Sequence, residues 1–73
     1  MPVIDMISTG KNIKDMRKKA GVTIDDIMNV CGISKGSVCK WQRGDTMPTI
    51  DNMVILASIF GVGIDDIVVT KTI

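Results

Sequence analysis

Apolar residues recur every three or four positions along most of the chain, and glycines interrupt the pattern at short intervals. This spacing places the apolar side chains on one face of an α-helix, and a glycine after the last of them favours the end of the helix. The pattern therefore predicts five short helices. They run from about Gly10 to Ala20, from Thr23 to the residue before Gly32, from the cap Ser34 to about Arg43, from about Ile50 to Phe60, and from about Ile64 to Val68.

Hydroxyl side chains stand where four of these helices are expected to begin. The expected N-caps are Ser8 or Thr9, then Thr23, Ser34 and Thr49. A hydroxyl oxygen at this position accepts a hydrogen bond from a backbone N–H of the first turn. The pairs 25–26 and 65–66 are aspartates in first turns, where carboxylates suit the positive end of the helix dipole. Both pairs are therefore interpreted as helix-stabilising rather than catalytic.

The two ends of the chain, residues 3–7 and 68–73, are β-prone and too short for helices. We expect them to pair as a two-stranded ribbon, within one chain or between two. An isolated ribbon is marginal in water, so it needs a packing partner. The expected fold is all-α, a compact five-helix domain over residues 1–73, with this ribbon as an addition.

Length and hydropathy favour a single small domain. The chain has 73 residues, of which 45% are hydrophobic, which is enough for one core. Its longest nearly apolar run, Met53–Ile64, is about a dozen residues, whereas a transmembrane helix needs about 20. No charged segment followed by an apolar stretch opens the chain, so neither a secretion signal nor membrane association is expected.

Cysteine and histidine usage excludes most catalytic chemistry. The chain has two cysteines, Cys31 and Cys39, and no histidine, whereas a structural zinc site uses four such ligands. A Ser–His–Asp or Cys–His set and a glycine-rich phosphate loop are both missing. We expect no enzyme activity, no metal and no cofactor, and two cysteines suit a reducing cytoplasm. Both cysteines are interpreted as small packed residues, with a redox role for Cys39 as the alternative.

The net charge is only +1, but the charges are unevenly distributed. Residues 11–19 contain five basic residues and one acid, and residues 35–43 contain three basic residues and no acid. From residue 44 onward the chain has four aspartates and a single lysine. This distribution predicts a two-faced molecule with one face suited to phosphates.

The second and third predicted helices form a helix-turn-helix unit over about residues 23–44. Two short helices joined by a turn of three or four residues that contains glycine are typical of this motif. Val38 and Trp41 are expected to anchor the third helix from below. Its outward face is then Lys35, Gly36, Ser37, Lys40 and Arg43. An α-helix fits the DNA major groove, where the residues at its N-terminal end reach base edges.

The chain resembles the Xre-type, phage-repressor/Cro-like helix-turn-helix family over roughly residues 10–68. The matching segments are Ile13-Lys14-Asp15-Met16-Arg17, Gly21-Val22-Thr23, Gly32-Ile33-Ser34, Val38-Cys39-Lys40-Trp41-Gln42-Arg43-Gly44, Pro48-Thr49 and Gly61-Val62. The Lys-Trp-Gln-Arg-Gly segment, followed at the right distance by proline and a capped apolar helix, is the most specific part. The resemblance implies five helices, the third of which reads DNA.

The resemblance also implies which residues contact DNA. Lys35, Gly36, Ser37 and Lys40 match the base-reading and groove-facing positions, and Arg43 matches a position that contacts the DNA backbone. The candidate DNA-binding residues are Lys35, Gly36, Ser37, Lys40, Arg43, Thr23, Ser34, Arg17 and Lys14. The basic run in the first helix is either a solvated face or a phosphate contact, and in the second case we expect Lys14 and Lys18 to approach phosphates, because they share one face.

Three positions depart from the family pattern. Ile24 stands where the family often has a glutamine that grips a phosphate, and Gln42 stands where a glutamate often pairs with Arg17. We expect Gln42 to give a hydrogen bond instead, which leaves the Arg17 charge available to a phosphate. Met28 stands where the family prefers alanine, and Gly36 is expected to relieve the crowding.

The fourth helix is apolar on nearly all sides. Val54, Ile55 and Ile59 exceed what the core of a small domain needs, so a second subunit is the expected cover. The sequence thus predicts a homodimeric, repressor-like transcriptional regulator that binds double-stranded DNA. Its dimer is expected to form through the fourth and fifth helices, with the terminal strands as a candidate addition. The alternative is a protein-interaction module, antitoxin-like or accessory, with little DNA affinity.

Overall fold

Glycines and hydroxyl caps set most helix ends in the computed structural model, which describes all residues from Met1 to Ile73. The elements are β1 (Pro2–Ile4), α1 (Met6–Ala20), α2 (Ile24–Cys31), α3 (Lys35–Arg43), α4 (Ile50–Phe60), α5 (Ile64–Ile67) and β2 (Thr70–Thr72). The caps Thr23, Ser34 and Thr49 each accept a hydrogen bond from the backbone N–H three residues later. The five predicted helices are confirmed, and the fifth ends one residue earlier than expected.

The start of α1 differs from the prediction. The helix begins at Met6 rather than about Gly10, and its N-cap is Asp5 rather than Ser8 or Thr9. The Asp5 carboxylate accepts a hydrogen bond from the Ser8 backbone N–H at 3.0 Å. This bond, together with the Ser8 hydroxyl, lowers the pKa of Asp5. An aspartate caps a helix as well as a hydroxyl does, so the earlier start has a clear local cause.

The terminal strands pair with each other inside one chain. β1 and β2 are antiparallel, with Pro2 opposite Thr72. The buried Thr9 hydroxyl accepts a hydrogen bond from the Val69 backbone N–H at 2.9 Å. The Asn12 side chain donates to the Ile67 carbonyl oxygen at 3.1 Å. Helix α1 is thus the packing partner that holds the base of the ribbon.

The core is almost entirely aliphatic and lies between the helices. Its nine buried residues are Ile13, Ile27, Val38, Trp41, Met53, Leu56, Ala57, Phe60 and Ile67. Trp41 is only 5% exposed, which confirms its structural role. None of the helices combines the length and the apolar character needed to cross a bilayer.

Close packing of α1 on α3 fixes the position of α3. Gly10 makes this packing possible, because a Cβ there would collide with the carbonyl oxygen of Trp41 and lie 2.9 Å from that of Gln42. Gly44, just after α3, approaches the first turn of α1 equally closely, since a Cβ there would lie 2.8 Å from the Cα of Ile7. The C-terminal end of α3 therefore rests directly on the backbone of α1.

Candidate nucleic-acid interface

A three-residue turn joins α2 to α3. Gly32 adopts a left-handed conformation with φ of 66°, which ends α2 and reverses the chain. Ile33 packs against the core, and Ser34 then caps α3. The local arrangement is a helix-turn-helix, and it directs α3 across the surface with one face buried and the other open.

Helix α3 has two distinct faces. Val38 and Trp41 are buried in the core. Among the predicted contact residues, Lys35, Gly36, Lys40 and Arg43 are exposed, and Ser37 is half-buried. Positions 36, 40 and 43 recur at helical spacing and therefore share one face. The structure thus brings the expected outward residues of α3 together on one surface, which we call the α3 face (Lys35, Gly36, Lys40 and Arg43).

The hydroxyls at the N-terminal end of α3 are engaged with each other. The Ser34 Oγ accepts a hydrogen bond from the Ser37 backbone N–H at 3.2 Å and lies 3.2 Å from the Ser37 Oγ. The backbone N–H groups of Lys35 and Gly36 have no acceptor within the chain. Ser34 and Ser37 therefore order this end, while the two free amides are the groups that remain to bind an anion or a base edge.

Arg43 lies at the opposite end of the α3 face and has an acidic partner. Its Nε lies 3.0 Å from the Asp45 carboxylate, and this is the one ion pair of the chain. The two side chains are 63% and 55% exposed, so the pair adds little to stability. Asp45 nevertheless reduces the positive charge that Arg43 presents to an approaching phosphate.

Arg17 connects α1 to α3 rather than pointing freely into solvent. Its Nε donates to the Gln42 side-chain oxygen at 3.1 Å, and its Nη1 donates to the Val22 carbonyl oxygen at 3.1 Å. The expected Arg17–Gln42 hydrogen bond is therefore present. No carboxylate pairs with this half-buried guanidinium, so its full charge remains beside the end of α3.

Lys14 lies beside the contact between α1 and α3. It is four residues after Gly10 and three before Arg17, both of which contact α3, and residues so spaced are neighbours on a helix. Lys11 and Lys18 continue the same exposed face, and none of these lysines has an acidic partner. We call Lys11, Lys14 and Lys18 the lysine stripe.

Thr23 is engaged in a local structure at the start of α2. Its hydroxyl accepts from the Asp26 backbone N–H at 3.0 Å, and the Asp26 carboxylate accepts from the Thr23 backbone N–H at 2.9 Å. The latter bond, assisted by the Thr23 side chain, lowers the pKa of Asp26. Asp25 adds a second exposed carboxylate, and Ile24 packs against the core. The negative charges at this end of α2 oppose a phosphate contact.

Two expectations about small residues near α3 are wrong. Cys39 is half-buried but does not pack against the core, because it lies between Gly36 and Arg43 at helical spacing. Gly36 relieves no crowding, since the only atom near a Cβ placed there would be the Ser34 Oγ at 3.8 Å. Cys31, by contrast, does pack against the core, and burial raises the pKa of its thiol. No three His, Cys, Asp or Glu side chains gather where they could hold a metal ion.

A second surface, on α4, is apolar and uncovered. Ile50 is 75% and Val54 is 51% exposed, and they lie four residues apart on one face. Ile55 does not pack against the core, and Ile64 at the start of α5 is 36% exposed. Ile59 does pack against the core, so its expected place on this surface is wrong. We call the exposed pair Ile50 and Val54 the α4 face.

Comparison with known families agrees with this geometry. A helix-turn-helix family model matches residues 13–67, which is more than half of the chain and includes all of α2, α3 and α4. The chain belongs to the Xre-type helix-turn-helix family.

A curated relative occurs in Pyrococcus abyssi (strain GE5 / Orsay), where it is provisionally described as an HTH-type transcriptional regulatory protein. The two are 33% identical over 51 residues, which is 70% of this chain. The aligned part is only 16% of that relative's length, so most of the relative has no counterpart here.

Two solved structures share the fold of this helix-turn-helix protein. The restriction-modification controller protein C.AhdI of Aeromonas hydrophila is 17% identical, with a TM-score of 0.75 over 86% of this chain and 96% of that one. The DNA-binding domain of BldD from S. venezuelae is 18% identical, with a TM-score of 0.70 over 88% and 96% of the respective chains. At these identities the likeness establishes the architecture alone.

Three features of this helix-turn-helix surface were missed from the sequence. Lys11 has the same exposed face as Lys14 and Lys18, and the three-, four- and seven-residue spacing could have revealed it. The position of Cys39 could also have been read from its three-residue distance from Gly36. The engagement of Arg43 by Asp45 depends on the chain reversal after α3, which no periodicity signals.

Proposed function

We propose that this protein is a small, repressor-like transcriptional regulator that lays α3 in the major groove of double-stranded DNA. One observation supports this most strongly. Val38 and Trp41 are buried, and the opposite face of the same helix exposes Lys35, Lys40 and Arg43. A helix held from below, with cations on its open side, has the shape and charge that the major groove accepts.

The candidate residues divide into three tasks. Lys35 and Lys40 project from the α3 face and suit the O6 and N7 acceptors of guanine. Ser34 and Ser37 order the first turn of α3, which presents backbone N–H groups to DNA, and Thr23 caps α2, the helix that precedes the turn. Arg43, Arg17 and Lys14 supply charge to phosphates on either side of the groove.

We propose further that two copies bind a two-fold symmetric site. The α4 face is apolar and uncovered, and a domain of this size commonly covers such a surface with an identical one. A two-fold dimer would place its two α3 helices on half-sites about 34 Å apart, one turn of the duplex. The terminal ribbon, with exposed Met1 and Ile73, is a further surface for this dimer.

The descriptions of two similar proteins support the proposal. The Pyrococcus protein is described as a transcriptional regulatory protein, and the BldD structure is of a DNA-binding domain.

The two free cysteines fit a reducing compartment, and we place the protein in the cytoplasm. The helix-turn-helix unit, about residues 23–44, is proposed as the functional centre of a single domain spanning residues 1–73.

The experiment is a selection of bound duplexes from a random pool, followed by affinity measurements with Lys40→Ala. If Lys40 reads a base, the substitution costs about 1–3 kcal/mol of binding energy and removes the preference at one position of the site. Lys19→Ala is the matched control, because Lys19 is an exposed lysine nine residues after Gly10 and so lies on the side of α1 opposite its contact with α3. Absence of salt-dependent binding by the unsubstituted protein to any duplex would contradict the proposal.

A second candidate function is the binding of a different protein through the α4 face. The exposure of Ile50 and Val54 favours it, because an apolar surface can be covered by any complementary partner. Such an antitoxin-like or accessory module would form a complex of fixed stoichiometry with that partner and bind DNA weakly. The duplex selection separates the two functions, since only the regulator yields an enriched site.

A further inference from the structure

Six of the seven glycines have a structural reason to lack a side chain. Four adopt a positive φ that other residues rarely take, one leaves no room for a Cβ, and one is a helix N-cap, where glycine is common. The four with positive φ are Gly21, Gly32, Gly44 and Gly61, the crowded one is Gly10, and the N-cap is Gly63. Gly36, in the first turn of α3, is the exception.

Neither the backbone conformation nor a contact within the chain requires glycine at position 36. Its φ is not positive, and the Ser34 Oγ, at 3.8 Å, is the only atom near a Cβ placed there, which is ordinary van der Waals contact. Glycine is also less favourable than alanine within a helix, because it loses more conformational freedom on folding. The chain therefore carries a destabilising residue at a position where alanine would fit.

The position of Gly36 indicates what approaches it. It is exposed on the α3 face, four residues before Lys40 and seven before Arg43. Its backbone N–H has no acceptor within the chain. The surface at Gly36 is therefore exposed backbone with a free N–H donor and cations on either side. It lies at the N-terminal end of α3, the end that a helix-turn-helix directs into the groove.

We propose that Gly36 is the point of closest approach between α3 and DNA, where base-pair edges contact its Cα directly. This inference rests on the proposed DNA-binding function. The missing Cβ lets α3 sit deeper in the groove, which brings Lys35 and Lys40 within reach of base edges. Gly36 is thus a positioning residue for the interface. It lowers the stability of α3, and closer contact with the duplex offsets this loss when DNA is bound.

The test is a pair of substitutions, Gly36→Ala and Gly36→Leu. Each strengthens the helix while placing a side chain at the point where DNA is proposed to contact α3. Both should raise Tm, the alanine variant by about 2–8 °C. Affinity for a duplex that the unsubstituted protein selects from a random pool should fall at least about tenfold for Gly36→Ala, and further for Gly36→Leu. A variant that is more stable yet binds DNA more weakly cannot be explained by loss of folding.

The control is Asn29→Ala, which also exchanges a residue for a better helix former. Asn29 is exposed on α2 and belongs neither to the α3 face nor to the α4 face. It should raise Tm slightly and leave DNA affinity unchanged. Equal or tighter DNA binding by Gly36→Ala, or a lowered Tm, overturns the role of Gly36 while the regulator function stands. Failure of the unsubstituted protein to bind any duplex overturns the proposed function itself and this inference with it.

Discussion

At the scale of single residues, the charges of the α3 face set its attraction for a phosphate in the proposed DNA complex. Arg43 is the one cation of α3 with an acidic partner, since Asp45 lies 3.0 Å from its Nε. Both side chains are more than half exposed, so water and salt screen the pair and its contribution to stability is small. Next to a phosphate, however, the Asp45 carboxylate repels the ligand and competes for Arg43.

We predict that Asp45→Asn strengthens DNA binding several-fold at about 0.1 M salt, because it removes this repulsion and frees Arg43. The free energy of unfolding should change by less than about 1 kcal/mol. Fluorescence anisotropy with a selected duplex measures the affinity, and urea unfolding measures the stability. Asp65→Asn on α5 removes the same charge away from α3 and should leave affinity unchanged. Weaker binding by Asp45→Asn would contradict the prediction.

Residues whose roles are local could be identified from the sequence itself, whereas the distant Arg17–Gln42 hydrogen bond followed only from the family resemblance. Thr23, Ser34 and Thr49 cap helices as expected, because a cap depends only on the next three residues. Thr9 was expected to be a cap, but its hydroxyl bonds to Val69, 60 positions along the chain. Gly10 likewise contacts the carbonyl of Trp41. No local pattern carries that information.

Among the elements, α1 extends the positive surface beyond α3. Gly10 and Arg17 bring α1 against the C-terminal end of α3, and the lysine stripe lies on the adjacent exposed face of α1. Along a helix, Lys11, Lys14 and Lys18 are about 4.5 and 6 Å apart. A row of unpaired cations at this spacing suits a run of phosphates on one DNA strand.

We predict that Lys11→Gln, Lys14→Gln and Lys18→Gln each lower the salt dependence of DNA binding. Each lost phosphate contact should reduce the slope of log K against log salt by about 0.9, uniformly across sequences. Titrations of a selected and an unselected duplex at several salt concentrations measure the slope. Lys19→Gln, on the side of α1 opposite its contact with α3, should leave it unchanged. A solvated stripe without DNA contact would leave all four slopes equal to that of the unsubstituted protein.

Element boundaries followed from the sequence wherever glycines and hydroxyls stood at both ends. Helices α2, α3 and α4 have the expected bounds because Gly32, Gly44 and Gly61 end them in the left-handed conformation. The start of α1 was misplaced because Val3, Ile4 and Ile7 are apolar and β-branched, and these neighbours obscured Asp5 as a cap. Only the pairing of β1 with β2 shows that the strand ends before Asp5 and that the helix begins after it.

At the scale of the whole molecule, the two surfaces suit partners of different chemistry. The α3 face and lysine stripe are positively charged, whereas the α4 face is apolar. No residue belongs to both surfaces, so the proposed dimer and the proposed DNA contact do not compete for the same side chains. A dimer through the α4 face would leave both α3 helices open to one duplex.

We predict that the protein is a dimer at tens of micromolar and that Val54→Asp weakens the dimer at least about tenfold, because it buries an unpaired charge in the interface. Val30→Asp is the matched control, since Val30 on α2 is 47% exposed, close to the 51% of Val54. Sedimentation velocity over a range of concentrations measures the dissociation. A monomer at every concentration, or equal weakening by both substitutions, would contradict the α4 interface.

The central claim is that the open face of α3 contacts DNA. The most direct measurement follows the backbone amide signals of the 15N-labelled protein by NMR during titration with a selected duplex. The account predicts the largest changes at Lys35, Gly36 and Lys40, smaller changes along the lysine stripe, and none at Val30 on α2. Changes that leave α3 untouched and concentrate on another surface would contradict it.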